Sequence, residues 1–387
     1  MEQVIAEHAS EYDAQPQALV HSPARFHLMG DHSWYFKDKT ISMAVDLPVY
    51  VAVSFRNDTA LRFYFPQLKE HKRANLSSLK YRREDRWANS IKAMIYGFQA
   101  NNQLTRGMNF TVYSDILPSA GLGITAAIKA ASAIALCKLH EIRFTKNTIL
   151  QIVENGNRFF LGMANYLSDI NTVLFAKKNT CVLTNHQTGE FELLPFKFKD
   201  FSIVLTDARV PRISVWQEEN LRTEKNLSLL KSLKHKSGDN WEYEQSEGEI
   251  NEVLSEVPED TRRHLMSIIK EAQFVDEAAN ALRDSNFSHF ARCVNKSHEV
   301  LRDYYEITCP EIDWLIKRIQ EMDTSSARTP DICSRITGKG FGRCTYALMK
   351  NSEVDNYLEK LQEYERIFSF HPECYVVNPV AGACVAK

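Results

Sequence analysis

The run MNFTVYSDILPSAGLGITAAIKAASAIALCKLH (Met108–His140) limits most sharply what this chain can become. Met108–Tyr113 reads as a strand, the turn LPSAGLG supplies small residues, and ITAAIKAASAIALCKLH has the Ala/Ile/Leu content of a largely buried helix. A helix N-terminus presents backbone N–H groups and the positive end of its dipole, which together favour an anion such as phosphate. Small residues at helix starts also serve close packing, so the loop alone does not decide between a phosphate site and a packing turn.

The surrounding pattern is mixed α+β. Arg25–Met29, Ile41–Phe55, Leu61–Phe65, Thr180–Thr184 and Phe201–Asp207 read as strands, and Trp87–Ala100 as a helix with Ile91, Met94, Ile95 and Phe98 at helical spacing. From Trp216 to Lys234 and from Asn251 to Met322 the pattern is helical, and two strand-like pieces follow at Tyr346–Met349 and Tyr375–Val377. Between the helical stretches, HKSGDNWEYEQSEG (235–248) reads as a flexible insertion. No internal repeat is seen. With 387 residues the chain exceeds one small core, so two lobes are expected, 1–195 and 196–387, with a cleft available between them.

Charge removes several function classes. A formal net charge of -2 gives no drive toward a nucleic-acid backbone. The basic runs Lys69–Arg73 and Lys80–Arg86 are broken by Glu70, Glu84 and Asp85 and read as a solvated face. The first twenty residues carry acidic side chains and no apolar segment, and no stretch reaches the length of a membrane span, so a cytoplasmic protein without membrane contact is expected. The eight cysteines show no C-x-x-C pair and no zinc-like spacing, as for reduced thiols.

Two further segments carry chemistry. ITGKGFGRCTYALM (336–349) places Gly338, Gly340 and Gly342 before an apolar strand, where they permit positive φ and close approach. SPARFHLMGDHSWY (22–35) puts Arg25 inside a strand, where a guanidinium needs a carboxylate or phosphate, and an Asp-His pair just after Gly30. In this order and at these separations the three segments resemble the motifs of the GHMP kinase superfamily. NKSHEVLRDYYEITCPEID (295–313), RWANSIKAM (86–94), the Asn220-Leu-Arg222 pair, FAKKN (175–179) and CYVVNPVAGA (374–383) narrow the likeness to its galactokinase-like branch, over nearly the whole chain.

That resemblance implies a two-lobed GHMP kinase fold with the active site in the cleft, and transfer of the γ-phosphoryl group of ATP to the anomeric hydroxyl of galactose or a related sugar, with Mg²⁺. Asp169, in LSDINTVLFAKK, matches the catalytic base, and Arg25 matches the arginine that keeps the base ionised and steadies transition-state charge. A helix N-cap over Ile170–Phe175 is the bland reading of Asp169. Ser119, Gly121, Gly123, Ile124 and Thr125 fall at the ATP-binding loop, Thr125 at the serine that binds Mg²⁺, and Trp87 at an aromatic against adenine. Asp31, His32, Trp34, Tyr166 and Glu219 match the substrate-binding positions.

The sequence departs from the family at several of these. Ile124 lacks a hydroxyl, Asn157 stands for a metal-assisting glutamate with Glu154 one turn earlier, and Trp34 replaces a carboxylate. Tyr166 replaces a glycine, and Glu219 a tyrosine. A sugar and ATP are the expected partners, in a monomer or weak homodimer. A catalytically weak or silent relative that senses sugar and nucleotide is the alternative expectation.

Overall fold

The computed structural model describes residues 1–32, 39–99, 106–114, 121–163, 166–211, 228, 255, 258–326, 328–338 and 343–386. Two compact units emerge, and each is discontinuous in sequence. The first comprises Met1–Phe26, Met43–Val182 and Pro379–Lys387, and the second His27–Ser42 and Leu183–Asn378. The chain changes unit four times, at 26/27, 42/43, 182/183 and 378/379. Three of them fall inside strands, so no linker composition marks them.

α1 (Glu2–Tyr12) precedes β1 (Ala18–Met29) and β2 (Lys39–Phe55), of which residues 27–29 and 39–42 count with the second unit, and the first unit continues with β3 (Ala60–Phe65) and β4 (Glu70–Asn75). Then come α2 (Ala88–Gln99), β5 (Met108–Ser114), α3 (Ile124–Leu139), α4 (Lys146–Asn155), α5 (Leu167–Phe175) and β6 (Thr180–Asn185), and the chain returns late as β12 (Cys384–Val385). The strand order is β12-β1-β2-β5-β3-β4. β2 and β5 run antiparallel from Val49↔Ser114 to Phe55↔Met108, whereas β3 lies parallel to β5. The basic run Glu70–Asn75 ends this strand path, and its His71 and Arg73 face solvent. α1 is pinned through His8, whose two ring nitrogens lie 2.9 Å from Thr111 Oγ1 and Ser54 Oγ.

α3 is buried nearly all round, as its composition demands. α2 packs beside it and α4. At the end of α4 the chain widens into one π turn, Gly156–Leu161. Gly156 lets this turn lie close against α2, because a Cβ there would sit 2.6 Å from Ala93 O.

The second unit holds β7 (Phe191–Pro195) and a four-stranded antiparallel sheet ordered β11-β8-β10-β9, from β8 (Phe201–Asp207), β9 (Cys333–Thr337), β10 (Cys344–Lys350) and β11 (Glu373–Val377). Helices α6 (Glu259–Arg283), α7 (Phe287–Asp303), α8 (Pro310–Glu321) and α9 (Val354–Phe368) accompany it. A core of Leu265, Ile268, Leu301, Tyr305, Ile312, Ile316, Ile336 and Tyr357, among others, fills the space between them. The expected strands and the long helical stretch are therefore found, to within a few residues at most ends. The helical expectation at 216–234, the 235–248 insertion, residues 251–254 and the Asn220-Leu-Arg222 pair lie outside the described residues. No described helix is long and apolar enough to cross a membrane. None of the eight cysteines is in a disulfide.

Candidate active site

The glycine loop enters α3 through Gly123, the N-cap residue, at φ +71. That left-handed conformation suits glycine, and space requires it as well, because a Cβ would meet Arg25 Cγ at 2.6 Å and Nε at 2.9 Å. Arg25, on β1, lies along the loop. Its backbone N–H donates to Leu122 O at 3.0 Å and its Nη1 to Gly121 O at 3.3 Å. Its Nη2 reaches Asp169 Oδ2 at 2.7 Å, with the two side chains 7% and 21% exposed. Arg25 Nε makes no hydrogen bond to the described residues.

Asp169 is the third residue of α5, with Tyr166 as the N-cap, so its carboxylate stands inside the first turn rather than capping it. Negative charge is favourable there. Main-chain bonds from residues 382 and 383 fasten the other end of α5: Gly382 N–H donates to Ala176 O at 2.9 Å and Ala383 N–H to Val173 O at 2.7 Å. One guanidinium thus touches both the phosphate-type loop and a helix-borne carboxylate, within one unit. Such a pair can take a hydroxyl proton at one end and steady anionic charge at the other.

Around this pair, Thr125 is exposed in the first turn of α3, while Ile124 is buried and can offer a phosphate only its main-chain N–H. Gly121 has φ +80. Ser119 lies outside the described residues. Asn157, on the π turn, is buried and accepts from Lys129 Nζ of α3 at 2.5 Å. Glu154 is exposed on α4, so a role in place of the missing glutamate finds no support in its orientation. Trp87 is buried edge-on to Phe65 and donates from Nε1 to Glu70 Oε2 at 2.8 Å. Tyr166 is buried, and its φ of -91 asks for no glycine.

In the second unit Asp31, expected on the sugar side, is held by its neighbours: its Oδ1 accepts from Arg335 Nη2 at 2.6 Å and its Oδ2 from Gly338 N–H at 3.0 Å. Arg335 also donates to Glu271 Oε1 at 2.8 Å, Ser297 Oγ at 2.7 Å and Ile336 O at 2.7 Å. Glu271 accepts Gly30 N–H at 2.8 Å and Ser297 Oγ–H at 2.5 Å. Burial sets this arrangement: the side chains of Arg335, Asp31 and Glu271 are 0%, 0% and 2% exposed. The cation next to Asp31 holds its carboxyl well below the usual range against the opposing effect of burial. The short aspartate is therefore a brace between the Gly30 turn and the Gly338 turn. Arg335, Glu271 and Ser297 were missed in the sequence, although an arginine within the apolar strand ICSRIT carries the same signal that singled out Arg25.

His32 is buried, with its ring tilted over Tyr305 at a centroid distance of 5.5 Å. Its Nε2 lies 3.8 Å from Asp31 Oδ2 and makes no hydrogen bond to the described residues. Trp34, Glu219, Gly340 and Gly342 lie outside the described residues.

Residues 6–55 match the galactokinase galactose-binding signature, and residues 89–177 match the GHMP kinases N terminal domain. A Treponema pallidum protein described as "Putative galactokinase" is 40% identical over 389 residues, covering 100% of this chain and 96% of that protein. The galactokinase of Clostridium acetobutylicum is 27% identical, over 94% and 93% of the two chains. Among solved structures, Lactococcus lactis galactokinase complexed with galactose superposes with a TM-score of 0.87 at 20% identity, covering 99% of each chain. A mevalonate kinase matches with a TM-score of 0.63 at 16% identity, over 93% of this chain and 99% of that one. The fold is thus the mixed α/β GHMP kinase fold.

Proposed function

This chain belongs to the galactokinase family and is an ATP-dependent sugar kinase; from that premise we propose that its acceptor is galactose or a close relative, phosphorylated at the anomeric hydroxyl. The observation that carries the mechanism is the Arg25–Asp169 pair resting on the Gly121–Gly123 turn. Asp169 accepts the proton of the attacking hydroxyl, and Arg25 orients that carboxylate and faces the charge that develops on the transferred phosphoryl group. Phosphoryl transfer asks chiefly for such positioning and charge neutralisation.

The amides of Ile124 and Thr125 precede the first helical hydrogen bonds, which run from Ala126 and Ala127 to Gly123 O, and they suit a phosphate oxygen. Magnesium takes oxygen ligands and keeps waters and phosphates around it, so the exposed Thr125 hydroxyl fits as its protein ligand. When bound with ATP, the ion neutralises phosphate charge. Asn157 is engaged by Lys129 instead, a change that replaces the family's anionic contribution with a cation nearby.

The sugar side rests on His32, whose Nε2 is left for a hydroxyl, while Asp31 acts by holding the turn that carries His32. The departures at Trp34, Tyr166 and Glu219 bear on which hydroxyls are read.

The test is ADP release from the full chain with Mg²⁺ and a panel of hexoses, with the phosphorylated carbon located by NMR. Sugar-dependent ADP release that yields a 1-phosphate, with galactose or its near epimers preferred, supports the reading. Turnover that is equal without any sugar, or a product phosphorylated elsewhere, removes it.

A further inference from the structure

Helices α6 and α7 bring together a glutamate, a histidine and a cysteine that play no part in the chemistry above. Glu277 projects from α6, and His289 and Cys293 stand four residues apart on one face of α7. Their ligand atoms all lie within 4.8 Å of one another. His289 Nε2 is 3.5 Å from Glu277 Oε2, and Cys293 Sγ is 3.7 Å from the same oxygen.

These separations can be compared with the edges of a tetrahedron around zinc. Bonds of about 2.3 Å to sulfur and about 2.0–2.1 Å to nitrogen and oxygen give an N···O edge of about 3.4 Å and an S···O edge of about 3.6 Å. Both distances lie close to those edges, and the imidazole nitrogen and Cys293 Sγ stand within 4.8 Å of each other, against an N···S edge of about 3.6 Å. Asn286, the N-cap of α7, accepts the backbone N–H of His289 through its side chain at 3.1 Å and so fixes the turn from which the imidazole rises. The cluster is open on one side only: Cys293 is buried, whereas the His289 and Glu277 side chains are 34% and 50% exposed.

We propose that Glu277, His289 and Cys293 form a binding site for a borderline divalent metal of the zinc class, with water as the fourth ligand. Cys293 loses its proton to solvent and binds as the thiolate, His289 binds through neutral Nε2, and Glu277 through a carboxylate oxygen. Thiolate and carboxylate together offset the charge of the ion. A sulfur ligand favours zinc-class ions over Mg²⁺, so the site is distinct in kind from any metal carried by ATP. Its place gives it a consequence. The same two helices carry Glu271 and Ser297, which are joined to each other and to Arg335. A metal joining Glu277 to Cys293 therefore clamps the helix pair that supports the Asp31 brace.

Full-length protein freed of metal by chelation is titrated with Zn²⁺ against a chromophoric indicator, and separately with Co²⁺. The expected results are one equivalent bound, a thiolate-to-cobalt charge-transfer band in the near ultraviolet, and a Tm raised by about a few degrees at saturating Zn²⁺. His289→Gln and Glu277→Gln, both at partly exposed positions, should each weaken binding by about tenfold or more while leaving the metal-free Tm unchanged. Cys293→Ala should abolish the charge-transfer band. Absence of that band at stoichiometric Co²⁺, or Zn²⁺ affinity unchanged in both the His289→Gln and Glu277→Gln proteins, overturns the site.

Discussion

Two arginines on strands of this chain each meet carboxylates, and they are opposites in everything else. Arg25 meets one carboxylate, Asp169, which keeps a fifth of its side-chain surface open, and leans on a glycine turn with its Nε left over. Arg335 meets two, Asp31 and Glu271, in a spot sealed from water, and its Nε, Nη1 and Nη2 all donate to neighbours. An open pair can exchange its partner for a substrate atom, whereas a sealed triad has no capacity left and can only fix what surrounds it. The difference teaches that an Arg–carboxylate contact alone does not mark a site: burial and spare hydrogen-bonding capacity set the two apart, and the open pair is the one proposed for the chemistry.

The comparison can be broken most directly at Asp169. Asp169→Asn is expected to lower kcat by about 10²–10⁴-fold, the range for loss of a general base, with the fold kept; unchanged kcat in a steady-state ADP assay would remove the open pair from the chemistry. Arg335→Met should do the reverse first. It leaves two buried carboxylates without their cation and should destabilise the protein by about 3–5 kcal/mol in urea unfolding, well beyond the loss for Arg25→Met.

Acid sharpens the contrast. Asp31 is held far below the ordinary carboxyl range, so protonation of Asp31 does not weaken the triad at mildly acid pH. Burial instead pushes His8 down to about 4 and His298 down to about 3. A histidine whose folded value lies below its unfolded value near 6.5 contributes stability above that value and loses it as pH falls toward the folded one. Between pH 6.5 and about 4, His8 alone should account for a loss of about 3 kcal/mol, and His8→Gln should flatten that part of the pH–stability curve.

Smaller effects probe the support of the open pair. Gly123→Ala forces a methyl against Arg25, and we expect kcat to fall by about 10–100-fold with little change in the KM for sugar. Trp87→Phe removes the bond to Glu70 and should cost about 1 kcal/mol, read as a lower Tm and a higher KM for ATP.

Much of this was legible in the chain itself. The strand, glycine turn and buried helix around Gly121–Gly123 obey local rules, and Arg25 gave itself away as a cation inside an apolar strand. Arg335 sends the same signal from CSRIT, but its partners stand 64 and 304 residues away, and nothing local says which carboxylates will be folded around it. The bracing contacts of Asp31 were hidden for that reason: its motif neighbours suggest a hydroxyl ligand, and its distant cation is not visible in the chain. The Lys69–Arg73 run was seen as a solvated face, and its strand character comes from pairing with β3, which composition does not show. The division of the chain was hidden because strands run through it.

The late return of residues 379–386 to the first unit carries a consequence for how the protein is made. β12 pairs with β1, and residues 380, 382 and 383 bond to Ala44, Ala176 and Val173. A ribosome delivers β1 and Asp169 long before it delivers these residues. The helix that carries Asp169 thus lacks the main-chain bonds to Val173 O and Ala176 O until residues 382 and 383 are made, and a nascent chain stalled before residue 380 would carry both Arg25 and Asp169 without them.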